Sequence, residues 1–188
     1  MLMKRGKNKK VGNKFFRQKK AQGVFGMSFG MIFSIILIIF FIAVAFIAIK
    51  SFLGTKTCAQ IGIFRENFQT EITKTWKGDN ANFKFPGNLP SKIKFVCFGD
   101  LDKDVTATGA SGNMGRELGV YQGYIANMFL YPTESACDMV THEIEHLEID
   151  KLISENGNPY CIPVDSGKIN IQIKKGFNER LVSIEAVN

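Results

Sequence analysis

The segment MIFSIILIIFFIAVAFIAI, residues 31–49, contains Ser34 as its only polar side chain. No ionisable residue occurs between Ala21 and Ile49. A helix of this length, rising about 1.5 Å per residue, extends roughly 30 Å, which is the thickness of the hydrocarbon core of a bilayer. The alternative is a helix buried in a protein core, but such helices are seldom apolar on every face at this length. The segment therefore predicts a transmembrane helix within residues 22–50.

The charged residues are distributed unevenly around this segment. The chain has a formal net charge of +7. Nine basic residues precede the first acidic one: Lys4, Arg5, Lys7, Lys9, Lys10, Lys14, Arg17, Lys19 and Lys20. After Lys50 there are 14 basic and 17 acidic side chains, a net charge of −3. The positive charge therefore belongs to the tail, where it indicates a cytoplasmic flank and contact with anionic membrane lipid; we expect no nucleic-acid partner.

This asymmetry also predicts an orientation and a domain organisation. We expect residues 1–21 to be a basic cytoplasmic tail or leader and residues 51–188 to be one extracytoplasmic domain. The protein would then be a single-pass protein of the cell membrane. An ordinary cleaved signal peptide is the alternative, since Ala43-Val44-Ala45 has the small-x-small form. That triplet lies inside an apolar run much longer than the roughly 7–15 residues of the apolar h-region of a signal peptide, so a signal anchor or another helix that stays on the mature protein is the better prediction.

The four cysteines all follow the apolar segment: Cys58, Cys97, Cys137 and Cys161. An even number of cysteines in an exported domain predicts two disulfides. Zinc ligands are the alternative, but the spacing typical of zinc sites does not occur. Four cysteines allow three pairings, and the sequence does not choose among them. We favour Cys58 with Cys97 and Cys137 with Cys161, because each closed loop then stays local.

Beyond the apolar segment the hydrophobic pattern changes from a helical to an alternating period. Five apolar residues at steps of three or four predict a helix over residues 58–76: Ile61, Phe64, Phe68, Ile72 and Trp76. Gly78-Asp79-Asn80 should end it. Strands are predicted over residues 82–86, 92–98, 127–131, 160–164, 168–174 and 181–186, the last two as a hairpin. Residues 99–124 are predicted to form an irregular glycine-rich loop, and the domain as a whole to be α+β, with one helix and a mainly antiparallel sheet.

His142-Glu143-Ile144-Glu145-His146 matches H-E-x-x-H, in which two histidines one helical turn apart bind zinc and the glutamate activates a water. It matches the reversed motif H-x-x-E-H equally well. These are the only two histidines, so a third ligand would have to be a carboxylate such as Glu148, Asp150 or Glu155. The segment also fits a strand, which would place the two imidazoles on one face with no helical turn between them. We favour a charged surface segment, and we predict that the protein is not an enzyme.

Asp100, Asp102 and Asp104 alternate in the manner of the first ligands of an EF-hand calcium loop. Val105 stands where that loop requires glycine, and Ser111 stands where it requires a bidentate glutamate. We therefore favour a solvated turn over a weak calcium site. No phosphate-binding loop or nucleophile motif occurs, and no cofactor is predicted.

The junction Lys19-Lys20-Ala21-Gln22-Gly23 resembles the class III signal peptide of archaeal type IV pilin-like proteins. The resemblance implies that a prepilin peptidase cuts between Ala21 and Gln22 and leaves the apolar helix on the mature protein. The plan of an apolar helix, an amphipathic extension and a β-rich head is also similar to that of pilin subunits. Many pilins carry a glutamate at the fifth mature position, where it helps subunits to assemble, and this chain has Gly26 there. The chain also resembles small archaeal membrane proteins of unassigned role.

Three hypotheses about function follow. The first is a pilin-like surface protein with a structural or assembly role, whose partners are copies of itself or similar subunits. The second is a monomeric anchored binding module whose ligand the sequence does not identify. The third is a zinc peptidase that uses His142, Glu143 and His146. We favour the first.

Overall fold

The structure is a computed structural model that describes residues 29–187. The chain divides into two compact units, the first ending at Phe46 and the second beginning at Ile47. The predicted basic tail lies outside the described residues, and so do the predicted processing positions Lys20, Ala21 and Gln22.

Helix α1, Phe29–Lys77, is a single helix of 49 residues. It includes the predicted helix over residues 58–76 and ends immediately before Gly78, as the sequence predicts. Lys175 Nζ stabilises this end by donating hydrogen bonds to the carbonyl oxygens of Trp76 (2.5 Å) and Gly78 (2.7 Å). Carbonyl groups in the last turn of a helix lack partners within the helix, and a lysine supplies both hydrogen bonds and a favourable charge.

The other elements follow in the second unit. In chain order they are β1 (Ala81–Asn88), β2 (Phe95–Phe98), α2 (Gly109–Leu118), β3 (Met128–Tyr131), β4 (Thr141–His142), α3 (Ile149–Asn156), β5 (Tyr160–Pro163), β6 (Lys168–Lys175) and β7 (Ser183–Ala186). The strands form two antiparallel sheets, one with the order β1-β6-β7 and the other with the order β4-β3-β2-β5. The α+β class and the predicted β6–β7 hairpin are confirmed, whereas the strands that we expected in one sheet are divided between two.

The core forms between α1 and the sheets. Phe64 and Phe68 of α1 are buried and contact Phe85 of β1, while alternate residues of β6, Ile169, Ile171 and Ile173, are buried on one face. Gly87 permits this close packing, because a Cβ atom there would lie 2.5 Å from a ring carbon of Phe64. Apolar residues repeat every three or four positions on the helix and every second position on the strand. The two apolar faces therefore pack together as one interface.

Two short helices were not predicted. Helix α2 lies within residues 99–124, where we expected an irregular loop, and α3 follows the His142 segment. The glycines of α2 obscured it, because each costs about 1 kcal/mol of helix propensity relative to alanine. Tertiary packing explains one of them, since a Cβ atom on Gly115 would lie 2.5 Å from Cδ of Pro159. Burial of Met114 and Leu118 outweighs the poor local propensity.

The preferred disulfide pairing was wrong. The structure joins Cys58 to Cys137 and Cys97 to Cys161, across separations of 79 and 64 residues. The cause is the sheet order, in which β2 and β5 are neighbours and their register places Cys97 directly opposite Cys161. Loop locality therefore did not determine the pairing.

Candidate functional site

The first candidate site is the apolar part of α1. Every side chain from residue 30 to residue 52 is exposed, including Phe46 (74% exposed) and Ile47 (70%). By length and composition this is the one helix of the described residues that is able to cross a membrane. The one polar residue within residues 31–49, Ser34, donates a hydrogen bond to the carbonyl oxygen of Gly30 (2.7 Å), so the hydroxyl has a partner without water. A helix also pairs its own backbone, which is the requirement for a segment surrounded by lipid.

The second feature is the covalent bracing of the head, which we define as residues 58–187. One disulfide ties α1 at Cys58 to Cys137, in the connection between β3 and β4. The other joins β2 to β5. All four cysteines of the chain are therefore bonded, an arrangement typical of proteins that fold in an oxidising compartment.

The predicted zinc motif does not lie on a helix. His142 ends strand β4 and pairs with Met128, whereas His146 has a left-handed backbone with φ 68°. Half-burial of the His142 ring lowers its pKa to about 4, and the positive charge of Arg65 adds to this effect. The two imidazoles therefore do not stand one turn apart on a common helix face, which is the geometry that the motif requires.

The segment around these histidines instead docks onto α1. The ring of His146 stacks on Trp76, with the centroids 3.7 Å apart and the planes 3° from parallel. Gln69 of α1 accepts a hydrogen bond from the backbone N–H of Glu145 (2.9 Å). Asn127 Nδ2 donates to the Ile144 carbonyl oxygen (2.9 Å), and Asn127 Oδ1 accepts from the Ile144 N–H (2.7 Å). These contacts assign the segment a structural role between α1 and the sheet. The His146 ring covers part of Trp76, which remains 37% exposed.

The Asp100–Asp104 loop is organised by a buried amide. The side chain of Asn158, 2% exposed, donates to the carbonyl oxygens of Asp100 (2.6 Å) and Asp104 (3.2 Å). Lys103 Nζ lies 2.6 Å from a carboxylate oxygen of Asp150 and 3.4 Å from one of Asp100. The hydrogen bond that Lys103 donates to Asp150 raises the pKa of Lys103. A lysine ammonium therefore supplies the positive charge beside these carboxylates.

One surface feature was missed by the sequence interpretation. Val120, Tyr124 and Ile125, between α2 and β3, are 77%, 61% and 85% exposed. Tyr124 also packs edge-on against Tyr121. The sequence did contain a sign of this feature, because large apolar residues occur there within a stretch otherwise typical of a polar loop. Three large exposed apolar side chains within six residues are a candidate contact surface.

The two features that remain as candidate sites are the exposed apolar helix and the surface of the braced head. Among residues 29–187, no three His, Cys, Asp or Glu side chains are grouped closely enough to hold a metal ion together. No protein-family model matches the chain, and comparisons with curated proteins and with solved structures likewise gave no match.

Proposed function

We propose that the chain is a membrane-anchored, pilin-like subunit, in which α1 crosses the membrane and the disulfide-braced head stands outside the cell. The observation that carries this proposal is the change of environment along α1. The helix is exposed on every face through residues 30–52 and buries an apolar stripe from Ile61 to Ile72. A helix of this kind joins an anchor to a domain without a linker, which is the plan of a pilin subunit.

Lipid is the partner best matched to the exposed segment. A groove in another protein covers one face of a helix, whereas apolar side chains point in every direction from this one. Burying apolar area stabilises by about 25 cal/mol per Å², so an uncovered segment of this size is unfavourable in water. A bilayer removes all of that surface from water at once.

The charges before the apolar segment and the disulfides after it support the proposed direction of insertion. The nine cations before the segment favour a cytoplasmic N-terminus. Two disulfides favour an extracytoplasmic head. These two arguments are independent, and they agree on a localisation in the cell membrane with residues 51–188 outside.

We propose that the role is structural, through assembly with copies of the chain or with similar subunits. The leader-like junction at Ala21-Gln22 supports this role. Since Gly26 replaces the glutamate that many pilins use in assembly, contacts between copies would rely on apolar packing of α1. We propose no catalytic role, because His146 packs on Trp76 and His142 lies in strand β4, so the two rings do not share the helix face that the zinc motif requires.

The test is the mature N-terminus of protein from membranes of cells that contain a prepilin peptidase. Intact mass should show a chain that begins at Gln22 and is extracted only by detergent. Ala21→Leu, which removes the small residue before the cut, is the matched control and should leave Met1 in place. Processed protein should also sediment as assemblies after mild extraction. A chain that is recovered without detergent would contradict the anchor itself.

The exposed cluster of Val120, Tyr124 and Ile125 favours a second candidate, an anchored binding module. That candidate predicts an unprocessed chain that is monomeric in detergent. Ile125→Asp should then abolish capture of a partner by the head while leaving membrane insertion unchanged. A processed chain that sediments as assemblies would favour the assembly subunit over the binding module.

A further inference from the structure

A basic cavity lies beside α1 where its apolar segment ends. The cavity, of about 610 Å³, is lined by Lys50 and Lys56 of α1 and by Lys92 of the connection between β1 and β2. Its other lining residues are uncharged. All of them belong to the second compact unit.

The fold places these lysines around one cavity. Strand β1 follows α1 after a short turn and pairs with β6, so its last residue, Asn88, lies opposite Lys168. The connection that follows is held in place, because the Leu89 N–H donates to the carbonyl oxygen of Gly167 (2.8 Å) and Leu89 is buried. Lys92 therefore stands at a defined position next to residues 50–60 of the helix.

The three lysines have no charge partner among the described residues. Within residues 29–187, none of Lys50, Lys56 and Lys92 has a carboxylate within 4 Å, and all three are exposed. Lys94 adds a further charge at this end, with its Nζ donating to the Ser91 carbonyl oxygen at 2.8 Å. Because residues 51–188 carry a net charge of −3, this basic end does not simply reflect the average charge of the domain.

We infer that the cavity binds the phosphate of an anionic phospholipid in the leaflet that faces the head. The inference rests on the proposed membrane anchor. Seven helical residues separate Ile49 from Lys56, a rise of about 10 Å. The polar layer on each side of the hydrocarbon core is roughly 5–8 Å thick. Lysines extend along apolar surface to place their ammonium groups at such a layer, where they bind phosphate as point charges.

A lipid is favoured over a free anion because of the position of Lys50. It follows the last apolar residue of the exposed segment directly, so a headgroup reaches the cavity while its chains lie along the helix. Each lysine near an anionic surface contributes about a fivefold increase in affinity. The cavity thus fixes the depth of the head and marks the leaflet on which it sits.

The test uses the full chain in nanodiscs of neutral phosphatidylcholine with graded phosphatidylglycerol. Hydrogen–deuterium exchange of residues 88–94 should slow as phosphatidylglycerol increases. The double variant Lys56→Gln/Lys92→Gln should weaken the apparent affinity about fivefold for each lysine removed. This local readout is separate from any effect of the basic tail, which both proteins share.

The matched control is Lys77→Gln/Lys84→Gln, which removes the same charge elsewhere; Lys77 lies about 32 Å along α1 from Lys56. This control should behave as wild type, and Lys56→Arg/Lys92→Arg should restore the protection. Equal protection in wild type and in Lys56→Gln/Lys92→Gln would overturn the inference, as would the same protection from inorganic phosphate in neutral nanodiscs. A chain that fails to enter nanodiscs would contradict the anchor instead.

Discussion

The two halves of α1 have the same backbone structure and opposite environments. In residues 30–52 every side chain is exposed, whereas in residues 61–72 an apolar stripe is buried against the sheets of the head. Phe40 and Phe41 contact each other edge-on, with ring centroids 5.9 Å apart. Phe68 contacts three other phenylalanine rings. Helix formation therefore does not distinguish the halves; the arrangement of apolar residues around the helix does.

The difference shows which solvent each half requires. The second half is amphipathic, with polar residues such as Arg65 and Glu66 between its apolar ones, so a protein core on one side and water on the other satisfy it. The first half has no polar face. Substitutions in the first half should change where the protein resides, and those in the second half should change whether the head folds.

The largest effect is expected from charge in the first half. Ile38→Arg/Ile42→Arg should release the protein from membranes, since arginine near the centre of a transmembrane helix costs about 2.5–3.5 kcal/mol each. Resistance to alkaline extraction measures the change. Ile63→Arg is the control, because Ile63 is 59% exposed on the head portion of the same helix and should leave membrane retention unaltered. Undiminished retention of the double variant would remove the distinction between the halves.

The next effect compares one phenylalanine from each half. Phe68→Ala should lower the free energy of unfolding of the head by about 3–5 kcal/mol, because it opens a cavity in the core. Phe40→Ala, at a side chain 58% exposed, should change it by less than about 0.5 kcal/mol. Denaturation in detergent can be followed through Trp76, the only tryptophan. Similar losses from both variants would mean that the first half is buried in the folded head.

Each disulfide should contribute a little less to the stability of the head than the Phe68 side chain does. Replacing Cys58 and Cys137 together by serine should destabilise the head by about 2–4 kcal/mol, as removal of a cross-link over a long loop does. Peptide mapping without reduction should recover Cys58 linked to Cys137. Recovery of a Cys58–Cys97 peptide would contradict the bond between Cys97 and Cys161. Cys97→Ser/Cys161→Ser is the matched variant within the sheet.

The smallest effect concerns pH. Since the pKa of His142 falls from 6.5 to about 4 on folding, the unfolded chain binds more protons between these values. Stability from the neutral ring is therefore complete above pH 6.5 and is lost as pH falls toward 4, with a slope below about 1.4 kcal/mol per pH unit. His142→Gln cannot bind this proton, so its unfolding free energy should fall less between pH 6.5 and 5. Parallel curves for the two proteins would show that burial does not perturb this histidine.

Much of the fold could be predicted where the apolar residues repeated with one period over a long enough stretch of sequence. The helix over residues 58–76 and the β6–β7 hairpin are confirmed because each buries one face, and this leaves a repeating pattern in the sequence. Helix α2 carried no such pattern, since glycine occupies positions where Pro159 and Ala107 approach closely. The His142 segment was ambiguous for a related reason: a motif of five residues fits a helix, a strand or an irregular turn equally well.

The sequence by itself determined the apolar segment, the charge asymmetry around it, the amphipathic helix and the α+β class of the head. These depend on composition and on short periods, which neighbouring residues set without reference to distant ones. Only the tertiary structure decided the disulfide pairing, the stacking of His146 on Trp76 and the cavity that Lys92 lines together with Lys50 and Lys56. Each of these joins residues far apart in the chain, and strand order determines which distant residues become neighbours.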